Sequence, residues 1–243
     1  MAFLAAVFAI GVLAGFLNVM AGGGSLLTLP ILIFLGLPVA VANGTNRFAI
    51  LVQNSAAIWS FHRQGHSEMR AGLGFALATV PGAVAGAWFA TRVDERVFRA
   101  ILAVVLVVAV LGLVVPRRRG RAGDSSGWRR VAAIVAFLGV GFYGGFIQAG
   151  VGFLIMLVLH QLLGFDLVRT NVHKVLIILV FSVPALIVFV VTHNVLWGTD
   201  LALAAGNAAG GVAATRVAVR GGERPIRIVL GVALLLMAVR LVV

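Results

Sequence analysis

The chain has 243 residues, of which 62% are hydrophobic, and this composition excludes a soluble domain because most of the chain must be buried in lipid. Its formal net charge is +12, but the basic residues lie mainly between apolar stretches, which indicates orientation in a membrane and no nucleic-acid partner. The absence of cysteine excludes disulfides, thiolate metal sites and cysteine nucleophiles.

Apolar stretches predict two sets of helical elements. The first set lies near residues 3–20, 25–37, 48–61, 73–91 and 97–115, and the second near 130–148, 152–163, 175–191, 199–215 and 226–243. The start has no charged leader, so we interpret it as a retained span. We predict a first transmembrane repeat over 1–116, a basic connecting loop over 117–130 and a second transmembrane repeat over 131–243.

The two halves share positions in register. Ala21, Gly22, Gly24 and Gly36 recur 128 positions later as Ala149, Gly150, Gly152 and Gly164, and Thr45 and Asn46 recur as Thr170 and Asn171. Both halves also carry GxxxG pairs, which predict close helix packing and no chemistry. A duplication is therefore predicted.

The distribution of charge predicts how the halves are oriented. If each half crosses the membrane five times, the second half has the opposite orientation to the first. With the N-terminus outside the cell, 14 of the 19 basic residues would then lie on the cytoplasmic side. The predicted fold is an all-α polytopic transmembrane protein. It has two inverted repeats of about five helical elements each, with short or discontinuous helices at glycine breaks. All seven acidic residues fall in or beside predicted connections, so no span offers a carboxylate for a proton or sodium relay.

Two glycine-rich segments are predicted to break helices inside the bilayer. Residues 21–25 read AGGGS, where Gly22, Gly23 and Gly24 disfavour helix and Ser25 is the expected N-cap of the next helix. Residues 148–153 read QAGVGF, where Gly150 and Gly152 are expected to disfavour helix in the same way. We expect free amides at both breaks to face a shared anion site, as in transporters with discontinuous helices; tight hairpins are the alternative.

Polar clusters follow both short segments, at residues 43–48 (NGTNRF) and 169–174 (RTNVHK). Thr45 or Asn46, and Thr170 or Asn171, are expected to cap the helices that follow. Three cations in these clusters would oppose the dipoles of those helices, so we interpret Arg47, His173 and Lys174 as anion ligands, with snorkelling to headgroups as the alternative. Asn18, Gln53 and Gln148 are neutral donors that would line the anion's path or join helices. The histidines show no metal-ligand spacing.

Residues 15–48 and 141–174 resemble the doubled signature of the TauE/SafE sulfite exporter family, through "GFLNVMAGGGSLLTLPILIFLGLPVAVANGTNRF" and "GFYGGFIQAGVGFLIMLVLHQLLGFDLVRTNVHK". The resemblance implies a multi-pass protein of the prokaryotic inner membrane. It also implies transport of small sulfur-containing anions such as sulfite, sulfoacetate or related organosulfonates. The second signature departs from the triple glycine at Val151, so two equal half-sites are not implied.

The sequence therefore predicts a secondary transporter with a small anionic substrate, the lipid bilayer as its surroundings, and no cofactor, metal or catalytic residue. The predicted substrate-binding residues are Asn18, Gly22, Gly23, Gly24, Ser25, Thr45, Asn46, Arg47, Gln53, Gln148, Gly150, Gly152, Thr170, Asn171, His173 and Lys174. The alternatives are a passive anion channel, an intramembrane enzyme with Ser25 as nucleophile, and a structural subunit. The sulfur anion, the direction, the coupling ion, and the choice between monomer and homodimer stay open.

Overall fold

A computed structural model describes residues 2–66, 69–98, 100–101, 104, 127–222, 224–226 and 228–229. Within these ranges every regular element is helical, as predicted. The helices are α1 (Ala2–Ala21), α2 (Ser25–Phe34), α3 (Val39–Arg63), α4 (Met69–Ala90), α5 (Gly127–Phe146), α6 (Val151–Met156, continued by a π-helical turn over Leu157–Leu162), α7 (Leu167–Val191) and α8 (Trp197–Gly221).

The two short helices are shorter than a bilayer crossing. α2 has 10 residues, and α6 has 6 before the π-helical turn. At 1.5 Å per residue α2 spans about 15 Å, against about 30 Å of hydrocarbon in a typical bilayer. The prediction of short helices after both glycine segments is therefore confirmed.

The third element of the first half begins earlier than its apolar run suggests. α3 starts at Val39, directly after Pro38, whose φ of −52° suits the entry to a helix. Thr45 and Asn46 therefore lie well inside α3, and the prediction that they cap a helix beginning near residue 48 is wrong. Polar residues in this position do not end the helix because partners elsewhere in the protein bind their side chains, as described below.

The corresponding helix of the second half shows the same difference. α7 begins at Leu167, and the carboxylate of Asp166 accepts a hydrogen bond from the backbone N–H of Arg169 at 2.8 Å. Asp166 is the N-cap, so the expectation that Thr170 or Asn171 caps this helix is also wrong. Arg47, His173 and Lys174 consequently lie beyond the first turn of their helices and do not oppose a helix N-terminus.

Glycines bring two pairs of helices into backbone contact. A Cβ on Gly15 of α1 would overlap the backbone of Asn207 in α8, and a Cβ on Gly210 would overlap that of Val12. In α4 and α5, a Cβ on Gly86 or Gly141 would overlap the partner helix in the same way. Each pair runs parallel, since later residues of one helix face later residues of the other. The GxxxG motifs thus form the packing surfaces that they predicted.

The helix contacts form matched sets between the two halves. α1 packs on α8 as α5 packs on α4, and α3 packs on α8 as α7 packs on α4, while α3 and α7 pack on each other. A two-fold relation between the halves would produce this pairing. The inversion of the halves across a bilayer, and their boundaries, stay predictions.

Large apolar side chains lie on the outside of the described helices. Among the described residues three helices are long and apolar enough to cross a membrane, over Leu4–Ala21, Gly72–Ala90 and Leu167–Val191. Large apolar side chains such as Phe34, 87% exposed, face outward. The predicted runs near 97–115 and 226–243 lie largely outside the described residues, as does the connecting loop up to residue 126. α5 begins at Gly127, within the predicted loop.

Candidate substrate site

The two glycine breaks lie directly against each other. Gly22, which follows α1, has a φ of +82°, and a Cβ placed on it would lie 2.5 Å from the carbonyl carbon of Gly152. A Cβ on Gly152 would in turn overlap the backbone of Gly22. Both residues are buried. Only glycine fits at this contact, because a side chain on either residue would push the two halves of the protein apart.

The first break offers fewer free amides than we expected. Ser25 is the first residue of α2, and the N-cap is Gly24, which has no side chain, so the prediction of Ser25 as N-cap is wrong. The backbone N–H groups of Leu26 and Leu27 each donate to a carbonyl of the glycine turn at 3.0 Å. These short-range bonds use amides that would otherwise be open to an anion.

The second break is held by side chains. Gln148 has a φ of +63°, an uncommon conformation for a residue with a side chain. Its Nε2 donates to the hydroxyl of Ser182 at 3.1 Å, and the hydroxyl of Tyr143 donates to the carbonyl of Ala149. The backbone N–H groups of Val151 and Phe153 donate to the carbonyls of Gln148 and Gly150 at 3.2 and 3.0 Å, so these amides are not open to an anion. Attraction of an anion must therefore come mainly from side chains.

Both breaks lie level with the middle of the long helices. Asn18, one turn before the first break, donates to Oε1 of Gln53 at 3.3 Å, and Gln53 lies close to the middle of the 25-residue α3. Gln148 reaches Ser182, which lies close to the middle of the 25-residue α7. The breaks are thus deep within the helical bundle and away from its ends.

Arg47 binds the end of a helix from the other half. Its guanidinium donates to the carbonyl of Gly144 at 3.0 Å and to that of Gly145, in the last turn of α5. The guanidinium also lies 4.7 Å from the ring centroid of Phe189. Asn43, one turn earlier in α3, donates to the carbonyl of Phe146 at 2.7 Å. Together these donors bind the free carbonyls with which α5 ends before the second break.

Lys174 makes the equivalent contact in the opposite direction. Its Nζ donates to the carbonyl of Val19 at 2.6 Å, in the last turn of α1 before the first break. It also donates to Oδ1 of Asn171 at 2.7 Å and lies 3.8 Å from the sulfur of Met156. Each half therefore provides one cation that holds the end of the first helix of the other half.

These two cations lack acidic neighbours in the interior. Arg47 and Lys174 are both completely buried, and the buried polar side chains in the described part of the chain include no Asp or Glu. Carbonyl oxygens and amides carry only partial charge, so they solvate the two cations without neutralising them. The centre of the protein therefore carries excess positive charge that favours an anion.

Three amide donors are buried without a partner in the described interior. Oδ1 of Asn46 accepts from the hydroxyl of Thr28 at 2.6 Å, and Oδ1 of Asn171 accepts from Lys174, whose ammonium group can only donate. Nδ2 of Asn46, Nδ2 of Asn171 and Nε2 of Gln53 are then buried without a hydrogen-bond partner. Buried donors without acceptors are costly, and the oxygens of a bound oxyanion would satisfy them.

Other predicted residues have different surroundings. The hydroxyl of Thr45 accepts from the backbone N–H of Leu196 at 3.0 Å, and that of Thr170 lies 3.5 Å from the carbonyl of Phe165. His173 packs against Gly72 of α4 and, with His66 and other residues, lines a separate cavity of about 270 Å³ at the start of α7. These contacts place Thr45 and Thr170 in structural roles.

The structure adds residues that the sequence did not single out. Thr28, Asn43 and Ser182 orient the amides and helix ends around the breaks, and Phe189 packs on Arg47. Asn43 begins the polar cluster at residues 43–48, and Thr28 and Ser182 are polar residues within apolar stretches, so an available signal marked all three. Phe189 carries no such signal, because it is one apolar residue among many in α7.

The sequence of the chain matches a known family. The family model described as "Sulfite exporter TauE/SafE" matches residues 7–241. The chain belongs to the TauE/SafE family. The resemblance recognised in the two sequence signatures is thus confirmed over nearly the whole chain, and the protein is an all-α membrane protein.

Curated relatives of the chain align along most of their own length. The chain is 32% identical over 244 residues to "Probable membrane transporter protein ORF9" of Sinorhizobium sp, with 98% of this chain and 92% of that protein covered. It is 30% identical over 230 residues to "Probable membrane transporter protein YfcA" of Escherichia coli K12, with 92% and 84% covered. A "Probable membrane transporter protein" of Haemophilus influenzae is 28% identical over 230 residues, with 92% and 88% covered. No solved structure matches the chain significantly.

Proposed function

We propose that this protein is a secondary transporter that moves small sulfur-containing anions, such as sulfite, sulfoacetate or related organosulfonates, across the prokaryotic inner membrane. The main support is the pair of buried cations, Arg47 and Lys174. The part of the interior that the structure describes holds no buried carboxylate. The family and the transporter names of its curated relatives support transport as the activity and argue against an enzyme.

The proposed substrates share one chemical group that suits this site. Sulfite and sulfonates each present three oxygens on sulfur, all of them hydrogen-bond acceptors carrying negative charge. The free amide donors of Asn46 and Asn171 would bind such oxygens, while Lys174 and Arg47 would provide the balancing charge. A site built from donors and cations also rejects cations of similar size, which would meet only repulsion.

The cross-contacts provide a means to couple binding to movement. Arg47 and Lys174 bind helix ends in the other half, so an anion that competes with those carbonyls weakens the contact between halves. Weakening it at the breaks would let the halves rock against each other, as alternating access requires. A structural subunit would have no need for charges that are costly to bury.

The test is flux into proteoliposomes containing the purified protein. We expect saturable uptake of labelled sulfite or sulfoacetate, and loss of most of it in Arg47→Ala and Lys174→Ala. Arg63→Ala is the matched control, because Arg63 stacks on Trp59 at 4.4 Å at the end of α3, away from the breaks. Thermal unfolding of each variant separates loss of transport from loss of fold.

Two results would contradict the proposal. Absence of saturable flux for every sulfur anion, together with wild-type behaviour of Arg47→Ala, would remove the basis for an anion site. Conductance that rises without saturation would identify a passive channel in place of a carrier.

A further inference from the structure

A basic groove lies at the end of α8. It has a volume of about 610 Å³ and is lined by Arg216, Val217, Arg220, Gly221, Arg224, Pro225 and Ile228. The three arginines are exposed. None of them takes part in the substrate site described above, so the groove requires a separate explanation.

The local backbone brings the third arginine back to the other two. Arg216 and Arg220 lie one turn apart on α8, which ends at Gly221. The chain then reverses at Gly222, where φ is +61°, and Pro225 folds back so that a Cβ on Gly221 would lie 2.5 Å from its Cγ. The reversal places Arg224 at the rim of the same groove. The cluster is thus built by the fold and is not a simple run of charges along a helix.

The charge of this segment is not explained by the helix end alone. A cation in the last turn of a helix offsets its dipole, which accounts for Arg220. The described lining residues include no Asp or Glu. Glu223 lies within the segment in sequence but outside the described residues. Residues 216–227 contain four arginines and this one glutamate, so the segment keeps a net positive charge.

The floor of the groove is apolar. Val217 is 39% exposed and Ile228 is 55% exposed, and both lie beside the arginines. A free inorganic anion would bind the guanidinium groups but leave these apolar side chains uncovered. A ligand that carries a phosphate next to hydrocarbon would satisfy both parts of the groove.

We propose that this groove binds the headgroup of an anionic phospholipid, with the phosphate among Arg216, Arg220 and Arg224 and the acyl chains along Val217 and Ile228. Basic sites at the membrane surface of helical proteins attract anionic lipids, and guanidinium groups pair with phosphate through two parallel hydrogen bonds. The bound lipid would hold the end of α8 at a fixed depth in the bilayer. The site is independent of the substrate site.

The test compares lipids on the full-length protein in detergent micelles. We expect dioleoylphosphatidylglycerol to bind and to raise the thermal unfolding midpoint, while dioleoylphosphatidylcholine does neither. The triple variant R216Q/R220Q/R224Q should lose this binding by about a hundred-fold, since each of the three cations near the surface contributes about five-fold. The corresponding triple substitution to lysine keeps the charge and should retain most of the binding.

Two control variants and a competition experiment with inorganic phosphate test whether binding is specific to this groove and to a lipid. Arg63→Gln and Arg92→Gln each remove an arginine that stacks on a tryptophan outside the groove, and both should bind the anionic lipid as the wild type does. Equal binding of the two lipids, or unchanged binding by the triple glutamine variant, would overturn the proposal. Displacement of the lipid by millimolar inorganic phosphate would do the same, because it would indicate a simple anion site.

Discussion

Nζ of Lys174 lies 2.6 Å from the carbonyl oxygen of Val19, although the two residues belong to opposite halves of the chain. Arg47 binds the end of α5 in the same manner, at Gly144 and Gly145. These two contacts join the halves where α1 and α5 end, at the start of the two glycine breaks. They also bring both buried cations close to a break, where the backbone is held by few helical hydrogen bonds.

The contact between the breaks predicts a strong effect of Gly22→Ala. An alanine there must adopt a φ of +82° and overlap Gly152, so we expect a loss of about 2–5 kcal/mol in the free energy of unfolding. Gly36→Ala is the control, because Gly36 has a φ of +90° and nothing within 4 Å of an added Cβ. That variant should lose only about 1–2 kcal/mol. Unfolding in denaturant measures both, and equal losses would show that the breaks do not touch.

The free amide of Asn46 predicts a specific effect of Asn46→Asp on transport. The new carboxylate would still accept from Thr28, but a negative charge would replace the donor that we assign to the anion. We expect KM for sulfite uptake to rise about ten-fold or more, the value of one hydrogen bond to a charged group. Asn194→Asp adds the same charge in the connection between α7 and α8 and should leave KM unchanged. A wild-type KM in Asn46→Asp would remove Asn46 from the site.

The bond from Thr28 to Asn46 predicts that Thr28→Val is destabilising despite its similar shape. The substitution leaves Oδ1 of Asn46 buried without a donor, at a cost of about 1–3 kcal/mol. Thr192→Val removes an exposed hydroxyl that bonds to the carbonyl of Val188, and should change stability by less than about 0.5 kcal/mol. Chemical unfolding in detergent compares the two. A negligible effect of Thr28→Val would indicate that water or another donor replaces the hydroxyl.

Replacing either of two glycines of α5 by alanine should change the stability of the protein in opposite directions. Gly141→Ala would overlap the backbone of Thr79 in α4 and should destabilise the protein by about 1–3 kcal/mol. Gly139 has nothing within 4 Å of an added Cβ, so Gly139→Ala should stabilise the helix by about 0.5–1 kcal/mol. Thermal unfolding of the two variants measures this contrast. Destabilisation by both would mean that helix packing is not what the glycines provide.

Local sequence signals predicted the helices and their close contacts. The glycines at 22–24 predicted the first break, and the GxxxG pairs predicted which helix faces pack, because both effects depend on the absence of a Cβ. The capping predictions failed because polar residues such as Thr45 were interpreted as partners of nearby backbone N–H groups at a helix start. In the structure its hydroxyl binds the backbone of Leu196, 151 positions away.

Long-range partners lay beyond the reach of the sequence. Arg47 binds carbonyls 97 and 98 positions away. Every residue has a backbone carbonyl, so the sequence does not indicate which carbonyls accept these bonds. The sequence could place a cation near a break, but it could not tell which helix end that cation would hold. The packing of α3 against both halves determines this, and it arises only in three dimensions.

The reciprocal contacts of Arg47 and Lys174 have a consequence for biosynthesis. When the ribosome has delivered α1 and the first break to the membrane, the lysine that will bind Val19, 155 positions after it in the chain, has not yet been made. The glycine contact and the partner of α1, α8, likewise belong to later segments. The first half must therefore stay in the insertion machinery or the lipid with the carbonyl of Val19 unbound. Its assembly is completed only when the later segments are inserted.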